Sequence, residues 1–315
     1  MTHDFVSIDP SKSSVQEIHK VLLSGVSPRP IALVSTISEN GINNLAPYSF
    51  FNAFGTNPPT VAFSPSYSGK DGSAKDTLNN LREVPECVIQ AVNHSMVEQV
   101  SLASTAYGPE IDEFQKSGFT PIDSLKVKPK RVQESPFQME CKIQEIIELG
   151  GKNASGNLVI CEVVEFHVWE SILENGAMKP NALDLVGRNG GAFYTRASGD
   201  AIFEVAKPNG IGIGIDLLPD FIRHSHVLSA NNLAQLGGLQ KLSDRAETEA
   251  FIEEILNDAR QTDLPEMVRS ALVQSNSDSE KAVELLEKAA RLALEKNELD
   301  FAIKTLMSIE LVREK

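Results

Sequence analysis

Two short segments contain the residues with the clearest chemical potential. Asn44 to Asn52 reads NLAPYSFFN and changes from small and polar to aromatic, so it could offer backbone amides, a hydroxyl and a carboxamide to a flat heterocycle. Lys75-Asp76-Thr77 opens a predicted helix. Because free N–H groups and the helix dipole favour an anion at a helix N-terminus, this second segment predicts a phosphate site.

Each segment also has a plainer interpretation. Asp76 or Thr77 ahead of an apolar stretch is an ordinary helix cap, although a cap that faces a cleft can still receive phosphate with Lys75 supplying the compensating charge. Phe50 and Phe51 could both be core residues. Since neighbouring strand residues point to opposite faces, we expect one of the two to lie inward.

Arg29 stands between Pro28 and Pro30, which stiffen its backbone and aim its guanidinium. Such an arginine suits a phosphate or a nicotinamide cofactor. A surface ion pair with one of the many carboxylates is the alternative, and the sequence leaves both open.

Composition and charge exclude several classes of partner. The 315 residues suffice for about two domains, and the formal net charge is −14. The sequence contains no cluster of Lys and Arg that could neutralise phosphates, which argues against nucleic acid or an anionic membrane as a partner. The N-terminal residues show no basic, apolar leader, and no run approaches the roughly 18 apolar residues of a membrane span. We therefore expect a cytoplasmic protein.

The remaining reactive side chains do not predict a second site. Three cysteines are widely spaced in apolar stretches and are predicted to be buried free thiols. His224 and His226 could share a strand face, but no third ligand follows at a fixed spacing, so no metal site is expected. The GIGIG run at 210–214 matches no nucleotide-binding fingerprint and is predicted to be a strand or turn with close backbone approach.

Composition divides the chain near residue 240. All glycines lie at or before Gly238, whereas the stretch from Lys241 has one proline and apolar residues at helical spacing. We therefore predict a helical region over 241–315, preceded by a segment over 201–240 that is a linker or a cap on a cleft.

Residues 1–200 instead show short β-branched runs between Gly, Pro and Asn, which is typical of antiparallel strands. Asn40-Gly41 is predicted to form a tight hairpin turn. Two helices are predicted, from about Thr77 to Arg82 and from about Ser95 to Ala103. Many short strands with few helices favour a barrel or a sandwich over a doubly wound sheet.

Five signatures occur in an order and spacing that resembles the flavin reductase-like, FMN-binding split-barrel family: Ser27-Pro28-Arg29-Pro30, Asn44 to Asn52, Asn57-Pro58-Pro59, Lys75-Asp76-Thr77 and Asp112-Glu113-Phe114. The similarity covers roughly residues 10 to 196. It implies a mainly β fold with α elements, in which a six-stranded split β-barrel holds FMN in a cleft near a homodimer interface. Here the α-helical C-terminal extension follows that barrel.

Matching positions imply which residues hold the cofactor. The strand that ends at Ser35 and Thr36 would lie near the flavin phosphate and ribityl chain, and Lys75, Asp76 and Thr77 would serve the phosphate, Asp76 by orienting its neighbours. Tyr48, Ser49, Phe50 and Asn52 would flank the isoalloxazine. Arg29 would contact the phosphate or the nicotinamide cofactor, and Arg188 and Tyr194 would belong to a closing segment at the flavin mouth.

The resemblance implies an oxidoreductase that passes hydride from NAD(P)H to FMN N5, with a monooxygenase or another acceptor as the onward partner. Because the flavin would supply the chemistry, no essential acid–base side chain is expected. One alternative is a non-enzymatic electron-transfer protein of flavoredoxin type that keeps FMN tightly bound. A second makes the helical region a docking module for a partner.

Overall fold

The computed structural model describes residues 4–205, 207, 210–257 and 263–314. The chain forms two compact units, Met1–Phe203 and Glu204–Lys315. Each unit has hydrophobic clusters of its own: two lie in the first unit and one, from Leu218 to Val312, lies in the second. No helix in the described ranges is long and apolar enough to cross a membrane.

The described part of the first unit combines short strands with short helices. Its strands are β1 Arg29–Pro30, β2 Ala32–Ile37, β3 Asn43–Tyr48, β4 Phe51–Thr56, β5 Pro59–Phe63, β6 Glu86–Ala91, β7 Pro121–Ile122, β8 Arg131–Val132, β9 Phe137–Glu148, β10 Asn157–Val168, β11 Leu173–Glu174, β12 Ala177–Met178, β13 Val186–Arg188 and β14 Tyr194–Arg196. Its α-helices are α1 Val15–Gly25, α2 Asp76–Glu83, α3 Val97–Ala103, α4 Glu113–Ser117 and α5 Pro180–Leu183. Single 3-10 turns occur at Pro10–Lys12, His94–Met96, Glu170–Ile172 and Gly199–Ala201.

The described part of the second unit contains helices and no strand. These are α6 Asp220–Arg223, α7 Ala230–Gly237, α8 Arg245–Asn257, α9 Asp263–Gln274, α10 Ser279–Glu295 and α11 Leu299–Arg313. The GIGIG run ahead of them is not a strand. It passes close to the backbone of Gly237 and Gly238. A Cβ at Gly212 would lie 2.4 Å from the Gly237 carbonyl oxygen, which confirms the predicted close approach.

The main sheet has the strand order β3-β2-β6-β9-β10-β5-β4, and its neighbours are antiparallel. It therefore has seven strands, whereas the resemblance implied six, and the segment from Asn43 to Thr56 contributes two of them, β3 and β4. Those two strands occupy opposite edges of the sheet but are separated only by Ser49 and Phe50. Since consecutive Cα atoms are 3.8 Å apart, the two edges can be no more than about 11 Å apart at this point, and the sheet must curl.

Local sequence signals explain how β2 and β3 pair. The predicted hairpin is confirmed, and Gly41 in it has φ +81°. Its turn is not the two-residue primed type, because the Gly41 N–H donates to the Ser38 carbonyl at 2.9 Å and Asn40 does not have positive φ. The resulting register places Thr36 opposite Asn44 and Ala32 opposite Tyr48. Because side chains alternate along a strand, Thr36 and Ser35 lie on opposite faces of the sheet.

Both faces of the sheet carry buried apolar side chains. One face includes Val34, Phe63 and three thiols, and the other includes Leu33 and Leu45, which share a buried cluster with Phe114 of α4. Cys87, Cys141 and Cys161 are buried and form no disulfide, as predicted. Their convergence in one cluster was not predicted, because it depends on the pairing of β6, β9 and β10.

Glu140 on β9 is the most enclosed carboxylate of the sheet. Its oxygens accept the backbone N–H groups of Leu125 and Lys126 at 2.7 and 2.6 Å, and His167 Nε2 lies 2.7 Å away. Burial by itself raises the pKa of Glu140, but the two backbone donors and His167 together hold it below its usual value. The carboxylate thus ties the loop before β8 to the sheet.

We expect Glu140→Gln to destabilise the first unit by about 1–3 kcal/mol at neutral pH, because the amide cannot satisfy both backbone donors. The lowered pKa means that the stabilisation is fully present above the unfolded-state value near 4.5 and is lost as the pH falls through the folded-state value. The difference from wild type should therefore shrink in acid. Urea unfolding followed by fluorescence of Trp169, the single tryptophan, measures the free energy of unfolding at each pH. Glu145→Gln, at an exposed position of β9, is the matched control.

Separate cores predict separate unfolding. Leu286→Ala, at a fully buried position of the second unit, should lower the stability of that unit by about 2–5 kcal/mol and leave the Trp169 transition of the first unit unchanged. Far-UV circular dichroism reports the helical transition. A Trp169 transition that shifts together with the helical one would contradict the expectation.

Candidate functional site

A buried polar network links the end of β2 to α2. Asn44 Nδ2 lies 3.0 Å from Thr36 Oγ1 and 2.9 Å from Thr77 Oγ1, and Asn80 Nδ2 lies 3.1 Å from Thr36 Oγ1. All four residues are less than a tenth exposed. Because both hydroxyl oxygens accept from amides, each threonine keeps its own proton available as a donor.

The N-terminus of α2 lies beside this network. Lys75 is its N-cap residue and provides no side-chain capping bond, and Asp76 and Thr77 are the first two residues of the helix. The prediction that Asp76 or Thr77 acts as an ordinary cap is therefore wrong. Lys75 is exposed, and its ammonium forms no hydrogen bond or ion pair with any described residue.

Carboxyl groups surround the positive end of α2. Burial raises the pKa of Asp76; Lys75 opposes this shift, and the charge of Glu110 adds to it. Burial also raises the pKa of Glu113, whose carboxylate accepts the N–H of Leu45 at 3.0 Å. Glu113 thus fixes β3 through its backbone, next to the network residue Asn44.

Tyr48 connects this network to Ser49 and Phe50, the two residues between β3 and β4, which we call the β3–β4 break. Its ring packs against Phe63 with centroids 5.4 Å apart. Burial raises the pKa of its hydroxyl. A hydrogen bond with Thr77 partly opposes this rise, and the charges of Asp76 and Glu113 add to it to a smaller extent. Tyr48 therefore faces the sheet interior and stays protonated.

Arg29 holds the break itself. Its side chain is only 4% exposed, so the predicted alternative of a surface ion pair is wrong. Nη1 lies 2.6 Å from each of the carbonyl oxygens of Leu23 and Val26, and Nη2 lies 3.3 Å from that of Asn189. Nε donates to Ser49 Oγ at 3.3 Å. Most of its donors are thus used within the chain.

Arg188 and Tyr194 come next to Arg29 in a small three-stranded sheet, β1-β13-β14. Arg188 is the direct partner of Arg29 on one side and of Tyr194 on the other. Its guanidinium lies over the Tyr194 ring, with Cζ 4.5 Å from the centroid. A cavity of about 180 Å³ joins these residues to the break and is lined by Ile31, Pro47, Tyr48, Ser49, Val100, Ser101, Ser104, Arg188 and Tyr194.

The other predicted site residues lie elsewhere. Ser35 points to the opposite face from Thr36, and its hydroxyl donates to the Lys130 carbonyl at 2.5 Å. Asn52 lines a separate, largely apolar cavity of about 550 Å³, and its Oδ1 accepts the Ala53 N–H. Phe50 is 38% exposed whereas Phe51 packs into the core, which confirms that one of the two lies inward.

Sequence reasoning missed Asn44 and Asn80 as site residues, although both contact the predicted residue Thr36. It also gave no site role to Glu113, which accepts the Leu45 N–H. A signal for Asn44 existed: the predicted hairpin at Asn40-Gly41 sets a register that places Asn44 opposite Thr36. No local signal marked Asn80, because its partner lies 44 residues away along the chain.

A family model described as flavin reductase like domain matches residues 24–186, which include the network, the break and Arg29. The chain belongs to the flavin reductase-like family. This membership confirms the family predicted from the five signatures, and it supports a flavin cofactor and a flavin oxidoreductase activity.

Individual relatives agree with this assignment. A protein of Halalkalibacterium halodurans is 34% identical over 191 residues, which cover 60% of this chain and 91% of the relative. The crystal structure of nitrilotriacetate monooxygenase component B from Bacillus cereus is 31% identical with a TM-score of 0.61, covering 65% of this chain and all of the other. The crystal structure of the 2-nitrobenzoate 2-nitroreductase NbaA of Pseudomonas fluorescens is 26% identical with a TM-score of 0.58. The match covers 68% of this chain and 99% of the other.

Asn44→Ala should destabilise the first unit by about 1–3 kcal/mol, because it leaves the buried Thr77 hydroxyl without its amide donor and removes one of the two amide donors to Thr36. Urea unfolding followed by Trp169 fluorescence measures the effect. Asn79→Ala makes the same chemical change at an exposed position of α2 and should be nearly neutral. Equal effects of the two substitutions would show that the network does not stabilise this end of the sheet.

Proposed function

We propose that this chain binds FMN at the junction of α2 with the β3–β4 break and works as an NAD(P)H-dependent flavin oxidoreductase. One observation carries the proposal: an uncapped helix N-terminus with an unpaired lysine adjoins a buried hydroxyl network that ends at the break. Together with family membership, this arrangement offers an anion site next to a surface for a flat ring.

The residues at α2 suit a phosphate. The first N–H groups of the helix have no side-chain cap, so they can donate to phosphate oxygens in the direction that the helix dipole favours. Lys75 supplies a positive charge to the same place. Asn44 and Tyr48 hold Thr77 in place, so that the site is built before the cofactor arrives.

The break between β3 and β4 suits the ring. Ser49 and Phe50 lie between two paired strands, Phe50 is partly exposed, and Arg29 approaches its ring to 6.0 Å and fixes the Ser49 hydroxyl. A mixture of backbone groups and an aromatic face is what a heterocycle with polar edges requires. Ser35 makes no side-chain contribution in this proposal, because its hydroxyl is bonded to Lys130 on the other face.

A flavin held by these residues would supply the redox chemistry, with its N5 as the hydride acceptor and an external molecule as the final electron acceptor. The protein positions the two molecules and limits access of water, and no acid–base side chain is required. On its similarity to nitrilotriacetate monooxygenase component B, we infer that a monooxygenase is one class of acceptor.

A homodimer is also proposed. Phe54, Phe166 and Trp169 are 69%, 48% and 40% exposed in the first unit, and Phe166 borders the apolar cavity of about 550 Å³. Large exposed aromatic residues beside an apolar cavity are typical of a protein interface. Sedimentation analysis of the wild-type protein tests this point.

The purified protein should bind FMN and oxidise NADH or NADPH when FMN is present. Lys75→Ala should weaken FMN binding about fivefold to thirtyfold, since it removes one charge-assisted contact to the phosphate. Lys70→Ala, an exposed lysine in the preceding loop, is the matched control and should leave affinity unchanged. Fluorescence titration of FMN and a steady-state assay with each nicotinamide measure the two properties.

The outcomes separate the candidate functions. Tight FMN binding without turnover of either nicotinamide would favour an electron-transfer protein. Absence of FMN binding would contradict the proposal altogether, and equal losses in the two lysine variants would place the phosphate elsewhere.

A further inference from the structure

Two arginines lie side by side in a chain that has many more carboxylates than cations. Asp and Glu number 43 against 29 Lys and Arg, yet neither Arg29 nor Arg188 forms an ion pair within the described residues. The two are direct partners in the β1–β13 pairing. Burial, and then the charge of Arg188, lowers the pKa of Arg29, so the two charges affect each other.

The two arginines differ in how their donors are used. Arg29 has four hydrogen bonds within the chain. Arg188 is half-buried, its side chain makes no hydrogen bond to any described residue, and its guanidinium lies against the Tyr194 ring. A guanidinium that stacks on a ring keeps its in-plane N–H groups free. Arg188 therefore presents an unused planar donor pair.

The cavity next to Arg188 has a suitable shape and chemistry for a small organic anion. Ile31, Pro47 and Val100 supply apolar walls, and the Ser49 hydroxyl lines the same space. Because Ser49 Oγ already accepts from Arg29 Nε, its own proton can be donated to a ligand. The volume of about 180 Å³ is less than a drug-sized ligand needs, so the cavity fits one ring or a short chain.

We propose that this cavity recognises the carboxylate of a small organic acid, with Arg188 as its bidentate partner and Ser49 as a further donor. The inference deepens the proposed function, on which it rests: the acid would be a substrate or an effector held beside the flavin at the β3–β4 break. Arg188 is then a binding residue for that acid and not for the cofactor phosphate.

A carboxylate suits the cavity better than a phosphate does. A guanidinium fork can bind two oxygens of either anion, but the apolar walls suit the hydrocarbon that carries a carboxylate. The separate group at Lys75 and the α2 N-terminus has the open helix end that a phosphate prefers.

Benzoate is a suitable probe, with benzamide as its neutral counterpart and inorganic phosphate as the competing anion. We expect ligand-observed NMR to show benzoate binding to FMN-free and FMN-loaded protein, with benzamide much weaker and phosphate unable to displace benzoate. Arg188→Ala should weaken benzoate about tenfold to hundredfold, and Arg188→Lys, which keeps the charge but loses the fork, should recover only part of this.

The controls use the same small sheet. Arg196 on β14 is paired with Asp184 and lies outside the cavity, so Arg196→Ala should leave benzoate binding within about threefold of wild type. The dissociation constant of FMN, measured by fluorescence, should likewise be unchanged in Arg188→Ala.

Three results would overturn the inference: equal binding of benzoate and benzamide, benzoate binding that does not depend on Arg188, or an equal loss of FMN and benzoate in Arg188→Ala. The last result would place the cofactor phosphate in this cavity. If wild-type protein fails to bind FMN, the proposed function fails, while the benzoate titrations of FMN-free protein still decide the inference.

Discussion

The two residues between Tyr48 and Phe51 impose the constraint on which the first unit depends. They connect opposite edges of a seven-stranded sheet, so the sheet has to curl until those edges come within about 11 Å of each other at this point. The connection is too short to form a loop, and its backbone cannot continue either strand. The same connection leaves the Phe50 side chain partly exposed, while the Phe50 carbonyl accepts the Ser64 N–H at 2.9 Å.

Arg29 stabilises this connection, and its hydrogen bonds offset the free-energy cost of burying its charge. A buried guanidinium is unfavourable unless its donors are satisfied, and here three carbonyls and the Ser49 hydroxyl satisfy four of them. These partners come from the end of α1, the break and the turn after β13. One side chain therefore fixes the relative positions of segments that are up to 160 residues apart along the chain.

Features with local causes were predictable from the sequence, and features with distant partners were not. The Asn40-Gly41 turn, the helix after Lys75 and the burial of three thiols each follow from neighbouring residues. The partners of Arg29 are backbone carbonyls, which every residue has and no motif marks. Strand alternation placed Ser35 and Thr36 on opposite faces, but only tertiary pairing decides that Thr36 is the one facing α2.

The similarity to known proteins is confined largely to the first unit. The Bacillus cereus structure is covered completely by 65% of the chain, about the share that the 203 residues of the first unit represent. That unit has its own cores and contains every residue of the candidate site. The helical unit has a separate core from Leu218 to Val312, which lies outside residues 24–186 that the family model matches. The proposed acid cavity lies at the end of that matched range, because Ser49 and Val100 fall within it whereas Arg188 and Tyr194 follow it. The choice of acid would therefore depend in part on residues beyond the matched family domain.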